Sequence, residues 1–402
     1  MLLMKEKIKL LAEKYYPRVI EIRRQIHAHP ELSYEENTTA ALVAFELQKL
    51  NIPFTTGIAK TGIVGILKGK NPDKKCIALR ADMDALPIQE QNKTPYKSQA
   101  PGVMHACGHD VHTANLLGTA MILSELKDEW EGTVKLIFQP SEEKIPSGAP
   151  AMIAEGVLEN PKVEAIYGLH VHTELESGEI GFRSGNFMAS ADEIYLTVHG
   201  KGGHAAQPAN FISPLIVSAE ILLALQRFTD MDIPVVLSFG KITANGATNV
   251  IPEIAELEGT LRCFDEKLRN KMHVELTAVC TDIAAKYGAT CDVNICKGYP
   301  VLTNDETLTA QAKKIATNYL GADHIHDLPI RMGAEDFAFY SQIVPACFYR
   351  IGVANKSAGI TSPIHTPTFD IDEPALLTSI GIMATIAIDS LSSPAKNLHM
   401  RK

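Results

Sequence analysis

Apolar residues recur at helical spacing from Ile8 to Ala28, and Pro30 interrupts the run, so the chain opens on an amphipathic helix. The same spacing predicts a second helix over Tyr34 to Leu50. Short apolar runs then alternate with helical segments. Ile63 to Lys68, Cys76 to Ala81, Val134 to Gln139 and Ala165 to Leu169 read as buried strands, and Thr113 to Leu126 reads as a helix. That alternation predicts an α/β fold with a mixed, largely parallel sheet flanked by helices.

The texture changes near residue 190. Asp192 to His199 alternates like a half-exposed strand, and a helix is expected from Ile212 to Phe228. Strands Val235 to Lys241 and Ala255 to Cys263, a helix Glu266 to Tyr287 and a strand Cys291 to Lys297 follow. The order β-α-β-β-α-β predicts a ferredoxin-like α+β lid domain inserted at 188–297. The first domain, 1–187 and 298–402, then resumes with a helix from Thr307, a strand near Ala346 to Ile351 and a helix Glu373 to Leu391.

Composition narrows the functional classes. A chain of 402 residues, 46% hydrophobic, is long enough for two packed domains. A net charge of -9 argues against a nucleic-acid binder, while a small anionic substrate stays open because one local arginine or metal outweighs the global charge. No GxGxxG or P-loop points to a nucleotide. Seven cysteines, an odd number with no CxxC pair, speak against a disulfide framework and for a reducing cytoplasm. The first residues lack the apolar core and cleavage site of a secretory signal, and no run approaches the ~20 apolar residues of a membrane span, so no membrane partner is expected.

Residues able to bind metal gather where the predicted strands end. Asp82 and Asp84 follow CIALRA, Glu142 and Glu143 follow VKLIFQP, and His170 follows AIYGL. In open α/β sheets, sites form outside the carboxyl ends of the strands, so these distant residues can share one crevice. HACGHDVH packs three His, one Cys and one Asp into eight residues, and one turn can aim Cys107 and His109 at a single metal or metal pair. A thiolate at neutral pH needs a cation nearby, which a metal supplies. In Glu142-Glu143, adjacent side chains diverge, so one can bind metal while the other handles a proton. His170 and His172 share a strand face, and His365 is a lone loop histidine.

The segments IRRQIHAHPELSYEE, ALRADMDALPI, MHACGHDVHTA, IFQPSEE, YGLHV, KGGHAAQP, TNVIPE, GTLRCFD, MGAEDFAFY and HTPTFDIDE span nearly the whole chain. In order and spacing they resemble the aminoacylase, hippurate hydrolase and indole-acetyl-amino-acid hydrolase branch of the zinc-exopeptidase superfamily. The resemblance implies a catalytic α/β domain with an inserted lid, and two divalent metals (Zn, Mn, Co or Ni) held by Cys107, His109, Glu143, His170 and His365. It implies Glu142 as general base and Asp84 as the carboxylate that orients a metal-bound histidine, with Asp82 where the wider superfamily has a histidine. From the lid, His204 and Asn249 match substrate contacts, and Arg262 is a candidate carboxylate anchor. It further implies a homodimer formed through the lid. The chain departs from many relatives in Lys144-Ile145-Pro146 after the glutamate pair and in GAEDF for GSEDF, which bears on substrate preference.

The expected reaction is hydrolysis of small N-acyl amino acids by water that two metals activate, with Glu142 moving the proton. The alternatives are a deacylase of N-acetyl- or N-succinyl-diaminopimelate, for which no extra charge anchor is identifiable, and a non-catalytic metal- or substrate-binding protein, which would have no use for a base such as Glu142.

Overall fold

The computed structural model describes residues 2–229 and 233–392. The chain forms two compact units. One takes Met1–Gly185, Thr303–Pro329 and Phe339–Lys402; the other takes Asn186–Leu302 and Ile330–Ala338. The short segment Ile330–Ala338, which carries GAEDF, thus belongs with the second unit, although the sequence pattern places it in the first domain.

The first unit is built on an eight-stranded sheet. Its early strands are β1 (Phe54–Ile58), β2 (Gly62–Lys68), β3 (Cys76–Asp82), β4 (Thr133–Gln139), β5 (Ala165–Glu176) and β6 (Ile180–Phe182). Across the sheet the order is β1-β2-β4-β3-β5, then Ala346–Ala354, β6 and Ile325–Asp327. The centre is parallel: β3 pairs with β4 and β5, and Ala346–Ala354 pairs with β5. Antiparallel pairings of β1 with β2, β2 with β4 and β6 with Ala346–Ala354 make the sheet mixed. Every residue of β3 and β4 is buried, as expected of strands covered on both faces.

Helices α1 (Leu2–Ala28), α2 (Asn37–Lys49) and α3 (His109–Glu125) flank this sheet with Glu306–Leu320 and Pro374–Ser392. α3 packs against both α1 and Pro374–Ser392, so it is buried from His109 through Leu123. Each leucine or isoleucine fully buried in this way contributes about 1.5–3 kcal/mol. Pro374–Ser392 is long and apolar enough to cross a membrane by length and composition, but it spends that apolar surface inside the core.

Three local details depart from the sequence pattern, and all three bear on the site. α2 starts at Asn37, after the expected Tyr34, because Tyr34 sits at φ +66° and the Glu31 carboxylate caps the amides of Thr38 and Thr39. α3 starts at His109, four residues early, so the HACGHD motif forms the entry to the helix itself. β5 runs on to Glu176, beyond the expected apolar run ending at Leu169, so His170 and His172 lie within the strand and share a face, as their spacing suggests.

The second unit has the order β-α-β-β-α-β: Asp192–His199, Pro214–Leu225, Val235–Thr243, Ile254–Cys263, Glu266–Lys286 and Thr290–Lys297. Its four strands are antiparallel, with Asp192–His199 and Ile254–Cys263 in the centre and Val235–Thr243 and Thr290–Lys297 at the edges. Both helices cover one face, whose core includes Ile194, Leu196, Val217, Leu257 and Leu276. At its base the buried Arg269 donates two bonds to Asp192, which also receives His273 Nε2 at 2.6 Å and the Gly298 amide at 3.0 Å.

Candidate metal centre

The entry to α3 is set by Gly108. It is left-handed (φ +84°), and a Cβ there would stand 2.7 Å from a Val171 methyl. Only glycine lets the chain turn this close to β5 and place Cys107 and His109 on either side of the turn. Cys107 Sγ lies 3.3 Å from His170 Nε2 and 3.3 Å from His365 Nε2. His365 Nε2 is 3.4 Å from Glu143 Oε1. Two triads, Cys107-His109-His170 and Cys107-Glu143-His365, each have their donor atoms within 4.8 Å of one another and share the sulfur of Cys107; His109, Glu142 and Glu143 form a third such group. The structure therefore brings the expected ligands Cys107, His109, Glu143, His170 and His365 together, with Glu142 beside them.

The His109 and His170 rings are each oriented by their other nitrogen. His109 Nδ1 donates to Asp84 Oδ1 at 3.2 Å, and His170 Nδ1 donates to the Val171 carbonyl at 2.8 Å. Both Nε2 atoms are left facing the cluster. His112 is different: Nδ1 donates to Asp82 at 2.6 Å and Nε2 accepts the Val171 amide at 3.0 Å, so its lone pair is taken. His112 braces β5, and Asp82 in turn is held by the buried Arg80. Asp84 is a hub. Besides His109 it accepts Ser33 Oγ at 2.6 Å, the Glu142 amide at 2.9 Å and the Glu143 amide at 3.0 Å.

The donor set fits divalent cations. His109 Nε2 and Glu143 Oε1 are buried, have no hydrogen-bond partner and stand 3.9 Å apart. Ligands bonded to one cation at about 2.0–2.3 Å stand about 3–4 Å from each other. Burial, reinforced by the Glu143, Glu142 and Asp82 carboxylates, pushes the Cys107 thiol well above its ordinary range, so a thiolate here calls for a neighbouring cation. Burial alone would strip the proton from His109, but Asp82, Asp84 and Glu143 outweigh it and raise the imidazole to about 10. The pocket is anionic enough to hold a proton where a metal would sit. Burial and then the charge of Arg350, opposite His170 in the parallel register, keep His170 neutral and its lone pair available. Thiolate and imidazole donors suit a borderline-soft divalent cation better than Mg or Ca.

In the second unit, His204 and Asn249 meet at one short two-stranded antiparallel ribbon whose strands are distant in sequence. Gly203–His204 pairs with Val250–Ile251, and the Ala205 amide donates to the Asn249 carbonyl at 3.0 Å. The Ala206 amide donates to His204 Nδ1 at 3.1 Å, so the neutral ring carries its proton on Nε2. Arg262 is not on this ribbon. It is half-buried on Ile254–Cys263, with Nε 3.3 Å from Thr260 Oγ1. Sequence reading missed Glu36, Ser33, Arg80 and Arg350 as supports of the site; each looks ordinary until the strands are paired.

Comparison with known proteins agrees with this geometry. The sequence profile of peptidase family M20/M25/M40 matches residues 78–389. The chain is 38% identical over 399 residues to the IAA-amino acid hydrolase ILR1-like 5 of Arabidopsis thaliana, covering 96% of this chain and 90% of the relative. It is 38% identical over 384 residues to the N-acetylcysteine deacetylase of Bacillus subtilis, covering 94% and 98%. Among solved structures, the YXEP protein of Bacillus subtilis, described as a dinuclear metal binding peptidase from the M20 family, matches with a TM-score of 0.84 at 35% identity over 95% of this chain and 99% of that one. The chain belongs to peptidase family M20/M25/M40 and is a metal-binding amidohydrolase of that family.

Proposed function

We propose that this protein hydrolyses the amide bond of small N-acyl amino acids at a two-metal centre. The observation that carries the reading is the sulfur of Cys107, common to two ligand triads, with two glutamates beside it. Cys107, His109, Glu143, His170 and His365 are the residues that would hold the metals. Bound there, two divalent cations supply acidified water and polarise the carbonyl. Glu142 is the base. Its side chain is buried, and its amide is tied to Asp84, so the carboxylate is held in place to take a proton from water and pass it to the leaving amine. Asp84 keeps His109 in the tautomer that offers Nε2. His204, with its proton on Nε2, is the proposed donor to the carbonyl oxygen; Asn249, beside it at the same ribbon, is a further proposed substrate contact, and Arg262 a candidate anchor for the substrate carboxylate. The names of the two curated relatives, which concern acyl and indole-acetyl amino acids, support this substrate class.

The reading includes a homodimer. Val235–Thr243 is an edge strand of the inserted sheet, and its unpaired backbone suits pairing with a second copy by two-fold symmetry. Seven unpaired cysteines suit a reducing cytoplasm.

The test is a hydrolysis screen of N-acetyl, N-benzoyl and indole-acetyl amino acids, run on chelated protein with Zn, Mn, Co or Ni added back singly. Activity that is lost on chelation, restored by metal and absent in Cys107→Ser at limiting metal supports the proposal. Full activity in metal-free protein sinks it.

A further inference from the structure

Glu36 stands at the N-cap of α2 and does not cap it. The first-turn amides of Thr38 and Thr39 are taken by Glu31 instead, at 2.8 and 2.9 Å. The Glu36 side chain is fully buried and turned inward. Oε1 accepts the amides of Tyr34 and Ser141, both at 2.9 Å, and Oε2 accepts the Thr61 hydroxyl. A carboxylate taken out of water is costly unless its oxygens are satisfied, and here the donors come from three separate parts of the chain.

Ser141 is the informative partner. It has φ +51°, in the left-handed region that residues with a Cβ rarely adopt. Its amide goes to Glu36, and its carbonyl accepts the Gly148 amide at 2.8 Å, so its backbone is pinned on both sides. A Cβ on Gly148 would stand 1.8 Å from the Pro140 carbonyl oxygen, which shows how tightly this loop closes. The next two amides, of Glu142 and Glu143, go to the two oxygens of Asp84. Three consecutive amides therefore point into two buried carboxylates. The direction of those peptide planes sets where the Glu142 and Glu143 side chains leave the chain. The segment before α2 holds the rest of the loop as well: Tyr34 donates to the Pro146 carbonyl at 2.9 Å, and Ser33 donates to Asp84 at 2.6 Å.

We propose that Glu36 is a positioning residue of the reaction, holding through the Ser141 amide the left-handed turn that aims Glu142 and Glu143 at the metal centre. The proposal rests on Glu143 as a ligand and Glu142 as the base. Without Glu36 the Ser141 amide has no acceptor at that point, the turn relaxes toward a commoner conformation, and both glutamates rotate with it.

Three variants of the full chain test this. Glu36→Gln keeps an oxygen for the Tyr34 and Ser141 amides and offers its amide hydrogens to Thr61. Glu36→Leu keeps the bulk and removes the acceptor. Thr61→Val frees Oε2 and leaves the carboxylate less fixed. Two readouts are taken: Co2+ binding to metal-depleted protein by equilibrium dialysis, and kcat and KM on the best substrate of the screen. Glu36→Leu is expected to lose about 10–100-fold in affinity for one of two Co2+ equivalents and in kcat, with KM moving less, while Glu36→Gln stays within about threefold of wild type. Where Glu36→Leu fails to fold by circular dichroism, Thr61→Val decides, with an expected loss of about threefold or more in the same two numbers. A folded Glu36→Leu, or in its absence Thr61→Val, that merely melts earlier while binding and turning over like wild type overturns the proposal. So does a Glu36→Gln as damaged as Glu36→Leu. Should the wild type hydrolyse none of the substrates, the functional reading fails, and Co2+ binding alone decides on Glu36.

Discussion

His109 gives its Nδ1 proton to Asp84 Oδ1 across 3.2 Å, and that bond leaves Nε2, not Nδ1, facing Glu143. Asp84→Asn replaces one acceptor oxygen of a four-donor hub with a donor, so it opposes at least one of His109, Ser33, Glu142 and Glu143. Metal affinity and kcat are expected to fall about 10–100-fold with the fold retained. Metal content after dialysis against a competing chelator, read beside circular dichroism, checks this. Wild-type metal content and turnover together would remove Asp84 from the role of orienting His109.

The two glutamates are expected to separate cleanly. Glu142→Gln should keep both metals and lose about 10²–10⁴-fold in kcat, the range for removal of a general base. Glu143→Gln should lose one metal equivalent as well. Elemental analysis of both proteins decides, and equal metal loss in the two would contradict the division of labour.

Donation of His204 from a partner subunit is expected to show as complementation. In a mixed dimer of His204→Ala and Glu142→Gln, one of the two sites receives both an intact histidine and an intact base. An equimolar mixture that exchanges subunits should recover about a quarter of wild-type activity. A dimer that demonstrably exchanges and recovers nothing rules out donation in trans, and a fully active monomer rules out the dimer itself.

The Asp192-Arg269 pair gives the inserted unit a pH-dependent anchor. Burial opposes the Asp192 charge, but Arg269 and His273 outweigh it and hold the carboxyl below its ordinary value. A group depressed in the folded state contributes stability above its unfolded pKa and loses it as pH falls through the folded one. At pH 7 Asp192→Asn leaves the buried Arg269 with only the partly exposed Glu266 as counter-charge and should cost up to about 3 kcal/mol. The gap from wild type should close as pH drops below about 4, the unfolded value of an aspartate. Native-state hydrogen exchange over Glu266–Lys286 measures it. A gap that stays constant from pH 7 to pH 2 would mean that the loss is one of packing, not of charge.

Much of this site is legible in the sequence because its ligands sit in dense motifs at the ends of apolar runs. Cys107 and His109 share one turn, and Glu142-Glu143 follow a mostly apolar, fully buried strand. The reading breaks where a polar residue is buried for the site's sake. His170 and His172 look like the end of β5, yet the strand continues to Glu176: His112 of α3 takes the Val171 amide, and Arg350 lies opposite His170 in the neighbouring strand. Glu36 looks like a helix-start acid and is a buried acceptor for a loop 105 residues away. β1, FTTGI, is too polar to read as a strand, and only pairing with β2 makes it one. Periodicity reports which face is apolar; it carries no information about which distant amide a carboxylate will find.

The amides of Ser141, Glu142 and Glu143 are all anchored through the main chain, while Lys144, Ile145 and Pro146 just beyond them are exposed. The anchoring atoms are common to every residue type that keeps a backbone N–H, so drift in the neighbouring side chains leaves the pair of acids where it is. The placement of the two acids is thereby uncoupled from the identity of the side chains that follow them in the same loop. Its first half is held by main-chain bonds, and its second half can exchange side chains without moving the acids.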